Sequence, residues 1–284
     1  MTICVTEPPL FDMTLTEMAL LIAALAAVGC LSGFLAGLLG VGGGIVIVPA
    51  LFYVFDFLDI DESVRAHLAV GTSLATIIPT SIISLRAHHK RQSVDTDLLK
   101  SWAPAVAIGV LIGVVIAAWI DGSALTGIFG AVALIVCAHM MFTPEGARLR
   151  DDLPRQPWRS LIAVVIGTLS TLMGIGGGTL SVPILSLFNF PLRRAIGTAA
   201  AIGLIIAVPG TLGFAINGWH AEDLPPFSLG YVSLIGFAAI VPSSLLLAPW
   251  GARAAHTIKV GLLRKAFALF LGTTGVKMCL TLLG

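Results

Sequence analysis

The chain has 284 residues, of which 57% are hydrophobic and 11% charged, with a formal net charge of +1 and a mean hydropathy of +1.01. A water-facing surface normally carries about 25% charged residues, so most of this surface must face lipid and a soluble domain is excluded. The near-neutral balance points to no acidic partner, and no basic run suits nucleic acid.

A bilayer core about 30 Å thick needs roughly 20 apolar residues in helix. No Lys or Arg precedes Arg65, and a cleaved signal peptide needs a basic start, so residues 15–39 are predicted as a retained span. Further spans are predicted at 66–86, 102–120, 123–142, 159–175, 195–216, 228–249 and 260–283. Two shorter apolar stretches, 45–55 and 179–188, each follow a glycine-rich break and are too short to cross alone. They are candidate half-helices or re-entrant segments. Trp102, Trp119, Trp158, Trp219 and Trp250 fall near predicted helix ends, as an interfacial belt requires. Cys4, Cys30, Cys137 and Cys279 are scattered without CxxC spacing and read as small hydrophobes.

The predicted fold is all-α: a polytopic membrane protein of about eight spans in two homologous four-helix repeats. The polar stretch 143–158, with Pro, Gly and both charge signs, is a linker between a first repeat at 1–142 and a second at 159–284. Gly33–Pro49 aligns without gaps to Gly167–Pro183, pairing Gly40, Gly42, Gly43, Gly44 and Pro49 with Gly174, Gly176, Gly177, Gly178 and Pro183. Further on, Ala69-Val-Gly71-Thr72-Ser73 answers Ala195-Ile-Gly197-Thr198-Ala199, and Pro79 and Pro209 interrupt corresponding helices. Such duplication is the usual architecture of secondary transporters.

Lys and Arg place the second inter-span loop (Arg86, Lys90, Arg91, Lys100) and the linker (Arg148, Arg150, Arg155, Arg159) in the cytoplasm. Arg253, Lys259, Arg264 and Lys265, before the last span, conflict with strict eight-span alternation, which puts them outside. Inverted halves would resolve this; so would a separate purpose for those charges.

The glycine breaks are the leading candidates for chemistry. Each glycine costs a helix on the order of 1 kcal/mol relative to Ala, so three in a row predict unwinding. Backbone amides freed inside lipid must be satisfied by protein, water or solute. A helix restarting at Ile45 and at Thr179 turns its orphan N–H groups and positive dipole end towards the break, which favours an anion. The competing reading is close helix packing, the role suited to Gly29, Gly33 and Gly37. A dinucleotide fingerprint fails for want of a βαβ context.

Hydroxyls follow. Thr72, Thr76 and Thr80 share one face of span 2 with Ser73 and Ser81 near them, and Thr198 matches Thr72 in span 6. Thr72, Ser73 and Thr198 are candidate solute contacts, and Asn217 after span 6 is another or a helix cap; back-bonding to the i−4 carbonyl is the commoner role of such hydroxyls. His67 and His139 lie within spans, whereas His88, His89, His220 and His256 are expected in solvated positions near the interfaces. No predicted span buries an Asp or Glu, and no nucleophile–base pair or metal-ligand spacing stands out. Neither an enzyme nor a metal or cofactor is expected, although a passive channel and a membrane-embedded enzyme or assembly factor stay as alternatives to a carrier.

Gly33–Pro49, its echo at Gly167–Pro183, Gly197-Thr198, Gly218-Trp219, Leu229-Gly230-Tyr231-Val232, Ala248-Pro-Trp-Gly251-Ala-Arg253 and Leu263-Arg264-Lys265-Ala-Phe267 together resemble the TauE/SafE group of sulfite and organosulfonate exporters. The resemblance covers residues 15–283. It implies a multi-pass inner-membrane permease, most simply an exporter, for small anions such as sulfite, sulfoacetate or other sulfonates. Its partners would be the solute and the bilayer, and a homo-oligomer is compatible with this reading.

Overall fold

The computed structural model describes residues 15–39, 42–142, 150, 152–254 and 260–282. Gly40, most of the linker and His256 lie outside the described residues. Among these there are ten helices and no strand: α1 (Leu15–Leu39), α2 (Gly44–Phe57), α3 (Glu62–Lys90), α4 (Thr96–Trp119), α5 (Gly122–Phe142), α6 (Trp158–Leu172), α7 (Gly178–Leu187), α8 (Leu192–Asn217), α9 (Leu234–Ala254) and α10 (Val260–Thr281). Six of them, α1, α3, α4, α5, α8 and α9, are long and apolar enough to cross a membrane. α6 and the described apolar part of α10 (Ala268–Thr281) are shorter, as are α2 and α7.

Helix starts follow local chemistry. Asp61 caps α3 by accepting the Ser63 N–H at 2.9 Å, and Asp95 caps α4 by accepting the Leu98 N–H at 2.9 Å. The cap at Asp95 starts α4 six residues before the hydropathy-based span, which moves Trp102 from a helix end to the interior. Trp102 is fully buried, and its assignment to an interfacial belt is corrected; Trp119, Trp158, Trp219 and Trp250 are exposed. His88 is also buried rather than solvated. α9 starts at Leu234 and not at 228, because 228–233 form a tight turn with Gly230 at φ +54° and a Leu229 N–H to Val232 carbonyl bond of 2.8 Å.

α3 and α8 form the centre. In α3 72% of the most apolar window is buried and in α8 61%, against 28% in α1 and α9; the outer helices turn residues such as Leu20, Leu111, Ile135 and Leu246 outward, as a lipid-facing surface requires. The main packing pairs are α1 with α9, α4 with α6, α3 with α8 and α5 with α10. Glycines set the close approaches and reveal the directions. Gly29 faces Ser243 and Gly33 faces Ser244, so α1 and α9 run parallel. Gly109 faces Val164 and Gly113 faces Thr168 and Thr171, so α4 and α6 do too. Gly203 faces Ser81 and Gly210 faces Leu74, making α3 and α8 antiparallel. In the antiparallel α5–α10 pair, Gly130 faces Cys279 and Gly272 faces Cys137.

At about 1.5 Å per residue, the 14-residue α2 and 10-residue α7 are too short to cross. Each turns the chain back, so α1 and α3 run the same way, and α6 and α8 the opposite way. This disposes of the conflict between the basic residues and strict alternation. Arg86, Lys90, Arg91, Lys100, Arg155, Arg159, Arg193, Arg194 and Arg253 all gather at one end of the bundle. Asp56, Asp59, Asp61, Glu62, Asp121, Glu222 and Asp223 gather at the other.

Candidate functional site

The two breaks meet at the middle of the bundle. Gly42 (φ +75°), Gly43 (φ +77°) and Gly174 (φ +63°) adopt left-handed conformations that side chains rarely take. Gly42 lies against Gly176: a Cβ built on Gly42 would sit 3.4 Å from the Gly176 Cα. Gly44 approaches the Gly174 carbonyl and Ser73 Oγ, and Gly177 approaches Ile202 and Gly203 on α8. Every described residue of both breaks is buried. α2 and α7 leave this zone in opposite directions, so their N-terminal ends converge on it.

Hydroxyls ring the breaks. Ser73 Oγ donates to the Gly174 carbonyl at 2.7 Å, so a residue matched to the first break's repeat holds the second break. Thr80 Oγ1 lies 3.4 Å from the Gly42 carbonyl and 3.0 Å from the Thr76 carbonyl. Beside the second break, Ser170 Oγ and Thr179 Oγ1 are buried without a hydrogen-bond partner. On the α1 side, Ser32 Oγ pairs with Ser244 Oγ at 3.1 Å, and a Cβ on Gly43 would press on the Ser32 carbonyl at 2.6 Å. Ser32, Ser170, Thr179 and Ser244 were not singled out from the sequence, although the first three stand within a few residues of Gly33, Gly174 and Gly178; only the fold brings Ser244 there.

Thr72, Thr198 and Asn217 stand elsewhere. Thr72 Oγ1 accepts the Ser233 N–H at 2.8 Å while Gly71 lets the Tyr231 carbonyl come close. Thr198 Oγ1 accepts the Asp95 N–H at 2.8 Å while Gly197 receives the Ser93 carbonyl. Each Gly-Thr pair thus clamps the chain just before a helix, α9 in one case and α4 in the other. Asn217 Nδ2 ties the end of α8 to the Val114 carbonyl at 2.9 Å. His67 Nε2 lies 3.0 Å from the Ala117 carbonyl, and its ring lies against Tyr231, 4.9 Å between centroids and tilted by 32°.

A helical bundle with a lipid-facing surface and a buried, side-chain-poor centre, where two helix starts meet, defines a polytopic membrane protein. The profile of the family described as Sulfite exporter TauE/SafE matches residues 25–278, and the chain belongs to that family. It is 34% identical over 257 residues, 89% of this chain and 96% of the relative, to a "Probable membrane transporter protein" of Haemophilus influenzae. It is 29% identical over 239 residues, 82% of this chain and 83% of the relative, to one of Methanocaldococcus jannaschii. A third, of Bacillus subtilis, is 29% identical over 213 residues, 68% of this chain and 78% of the relative. No solved structure matches the chain. The protein is a multi-pass membrane transporter rather than an enzyme.

Proposed function

We propose that the protein exports small sulfur-containing or organic anions, such as sulfite, sulfoacetate and other sulfonates, and that the paired glycine breaks bind them. The observation that carries this reading is the burial of both breaks face to face, with the starts of α2 and α7 converging there. Helix starts offer unpaired N–H groups and the positive dipole end to an anion. Glycine leaves those groups reachable by a solute. Ser170 and Thr179, whose buried hydroxyls have no partner in the fold, add donors without adding charge. Thr72, Thr198 and Asn217 then serve the path by fixing the helices around it.

The halves, 1–142 and 159–284 joined by 143–158, are read as inverted repeats of four spans each. Exchanging α1–α5 for α6–α10 returns the four main packing pairs, and the matched helices α3 and α8 run antiparallel. The basic end is read as facing the cytoplasm by the positive-inside rule, and the protein as residing in the cell (inner) membrane. A centre buried from both ends favours a carrier that alternates between occluded and open states over a passive channel.

The test is radiolabelled sulfite and sulfonate flux into proteoliposomes. Saturable flux with counterflow is expected. Equal flux with and without protein, across a panel of such anions, removes the proposal. Gly43→Leu or Gly177→Leu should abolish flux; unchanged flux in a folded variant would leave the breaks as packing features alone.

A further inference from the structure

Four arginines meet in one open cavity at the basic end. Arg91, Gln92 and Ser93 from the α3–α4 turn, Arg193 and Arg194 from the first turn of α8, and Arg253 from the last turn of α9 enclose about 510 Å³. Asp95 Oδ2 lies 3.4 Å from Arg194 Nη1, while its other oxygen caps α4. Arg193, Arg194 and Arg253 bring three guanidinium groups to one cavity from two helices, a local concentration of positive charge.

The fold holds this arrangement in place. The Ser93 carbonyl seats on Gly197 and Thr198 takes the Asp95 N–H, so the turn bearing Arg91 is fastened to the helix bearing Arg193 and Arg194. The Arg253 guanidinium lies 5.7 Å from the Trp250 ring centroid, a cation–π contact that keeps it from swinging freely. Exposed Trp250 puts the cavity at the level of the membrane interface. The equivalent place at the acidic end, framed by Gly71, Thr72, Tyr231 and Ser233, holds the His67 and Tyr231 rings, 4.9 Å apart between centroids and tilted by 32°. One frame thus carries aromatic rings at one end and guanidinium groups at the other.

We infer that the arginine cavity is an oxyanion-binding site, separate from the central breaks. Its ligand is a compact group with several anionic oxygens, which guanidinium forks bind in bidentate fashion. Two sources supply that chemistry: a free sulfite- or sulfate-type anion, or the phosphate headgroup of an anionic lipid. In its free-anion form the site rests on the transport reading and gathers solute at the cytoplasmic mouth; in its headgroup form it stands without it.

The experiment follows thermal unfolding of the full chain in nanodiscs. One arm uses zwitterionic lipid and titrates sodium sulfite and sodium sulfate against sodium chloride at equal ionic strength. The other replaces part of the lipid with phosphatidylglycerol. Binding to the folded state should raise the midpoint saturably, by on the order of 5 °C at a hundredfold excess over Kd. The rise should be lost in the double variant Arg193→Gln/Arg253→Gln and kept in Lys277→Gln, which removes a cation at the opposite end. A rise in the first arm assigns a free anion, and one confined to the second assigns a headgroup. No rise in either arm, or a rise unchanged in the double variant, overturns the site. If the double variant does not fold, Arg193→Lys/Arg253→Lys keeps the charge but not the fork and should weaken binding severalfold; unaltered binding there also overturns it. Sulfite flux with no rise would sink this site and spare the transport reading; a rise without flux would do the reverse.

Discussion

The Ser233 N–H donates to the Thr72 hydroxyl at 2.8 Å, and its twin, from the Asp95 N–H to Thr198, has the same length. Both hydroxyls are fully buried, and each holds the residue that caps the next helix: Asp95 accepts from Leu98 and Ser233 from Gly236. Threonine recurs at both positions because a helix start must be fixed against the central pair at each end of the bundle.

Thr72→Val and Thr198→Val keep the shape but leave a buried or half-buried N–H without its acceptor. A loss of about 1–3 kcal/mol per site is expected. Thr→Ser at either position should keep most of the stability. Thermal unfolding in detergent reads both, and a wild-type midpoint for both valine variants would show that the clamps carry no weight.

Gly44 is the tightest test of the breaks. A Cβ there would meet Ile77 Cδ1 at 2.8 Å and Ser73 Oγ at 2.9 Å, besides the Gly174 carbonyl. Gly44→Ala should therefore push the breaks apart and cut sulfite flux at least tenfold. Gly236→Ala meets its nearest atom at 3.3 Å, the tip of Thr72, and should leave flux within about twofold, since a small shift of that methyl relieves it. Flux assays on the two folded variants decide the matter; equal flux would separate the breaks from transport.

The positions of the helices were legible from hydropathy, because each predicted span is an apolar run that falls on a helix. Their ends were not. α3 extends from Glu62 to Lys90 and α4 from Thr96 to Trp119, through polar turns that a hydropathy window cannot see but that Asp61 and Asp95 cap. The break glycines were legible as a pair from their spacing. That Gly44 touches Gly174 depends on two antiparallel central helices, which no local pattern encodes. Thr72 and Thr198 were visible as hydroxyls in apolar helices. Their partners Ser233 and Asp95, 161 and 103 residues away, were not, so solute contact and structural clamp read alike in the sequence.

Acid should weaken the loops of the acidic end. Hydrogen bonds from Ser63 hold the Asp61 carboxyl below its ordinary 3.8, and those from the Ala124 N–H and the Ser123 hydroxyl do the same for Asp121. A carboxyl whose value is lowered on folding contributes stability that is complete above its ordinary value and lost as pH falls through the folded one. The unfolding midpoint should hold down to about pH 5 and decline below about pH 4. Asp61→Asn with Asp121→Asn keeps the cap acceptors and should flatten part of that decline. A decline as steep in the double variant would assign the acid sensitivity to other groups.

Tryptophan depth distinguishes core from belt. Trp119, Trp158, Trp219 and Trp250 are 62–86% exposed and Trp102 is 0%. Brominated lipids should quench single-tryptophan proteins carrying any of the first four, and leave one carrying Trp102 alone nearly unquenched. Trp102→Ala should cost about 3–5 kcal/mol, whereas Trp119→Ala should change the unfolding midpoint little. Strong quenching of Trp102 would return it to the lipid surface.

The turning back of the chain at each break makes a prediction about sidedness that differs from simple alternation. Eight alternating spans would put residue 155 on the same side as residue 222 and opposite residue 253. With α2 and α7 as returning half-helices, 155 and 253 share the basic end and 222 lies at the acidic end. In a variant free of its four native cysteines, single cysteines at Arg155, Glu222 and Arg253 can be probed in intact cells with a membrane-impermeant maleimide. Glu222→Cys should label at once, and Arg155→Cys and Arg253→Cys only after permeabilisation. Basic residues resist translocation, and the nine gathered at one end make the reverse orientation unfavourable. Labelling of Arg253→Cys from outside, with Arg155→Cys protected, would sink the inverted arrangement and with it the convergence of the two helix starts on one central site.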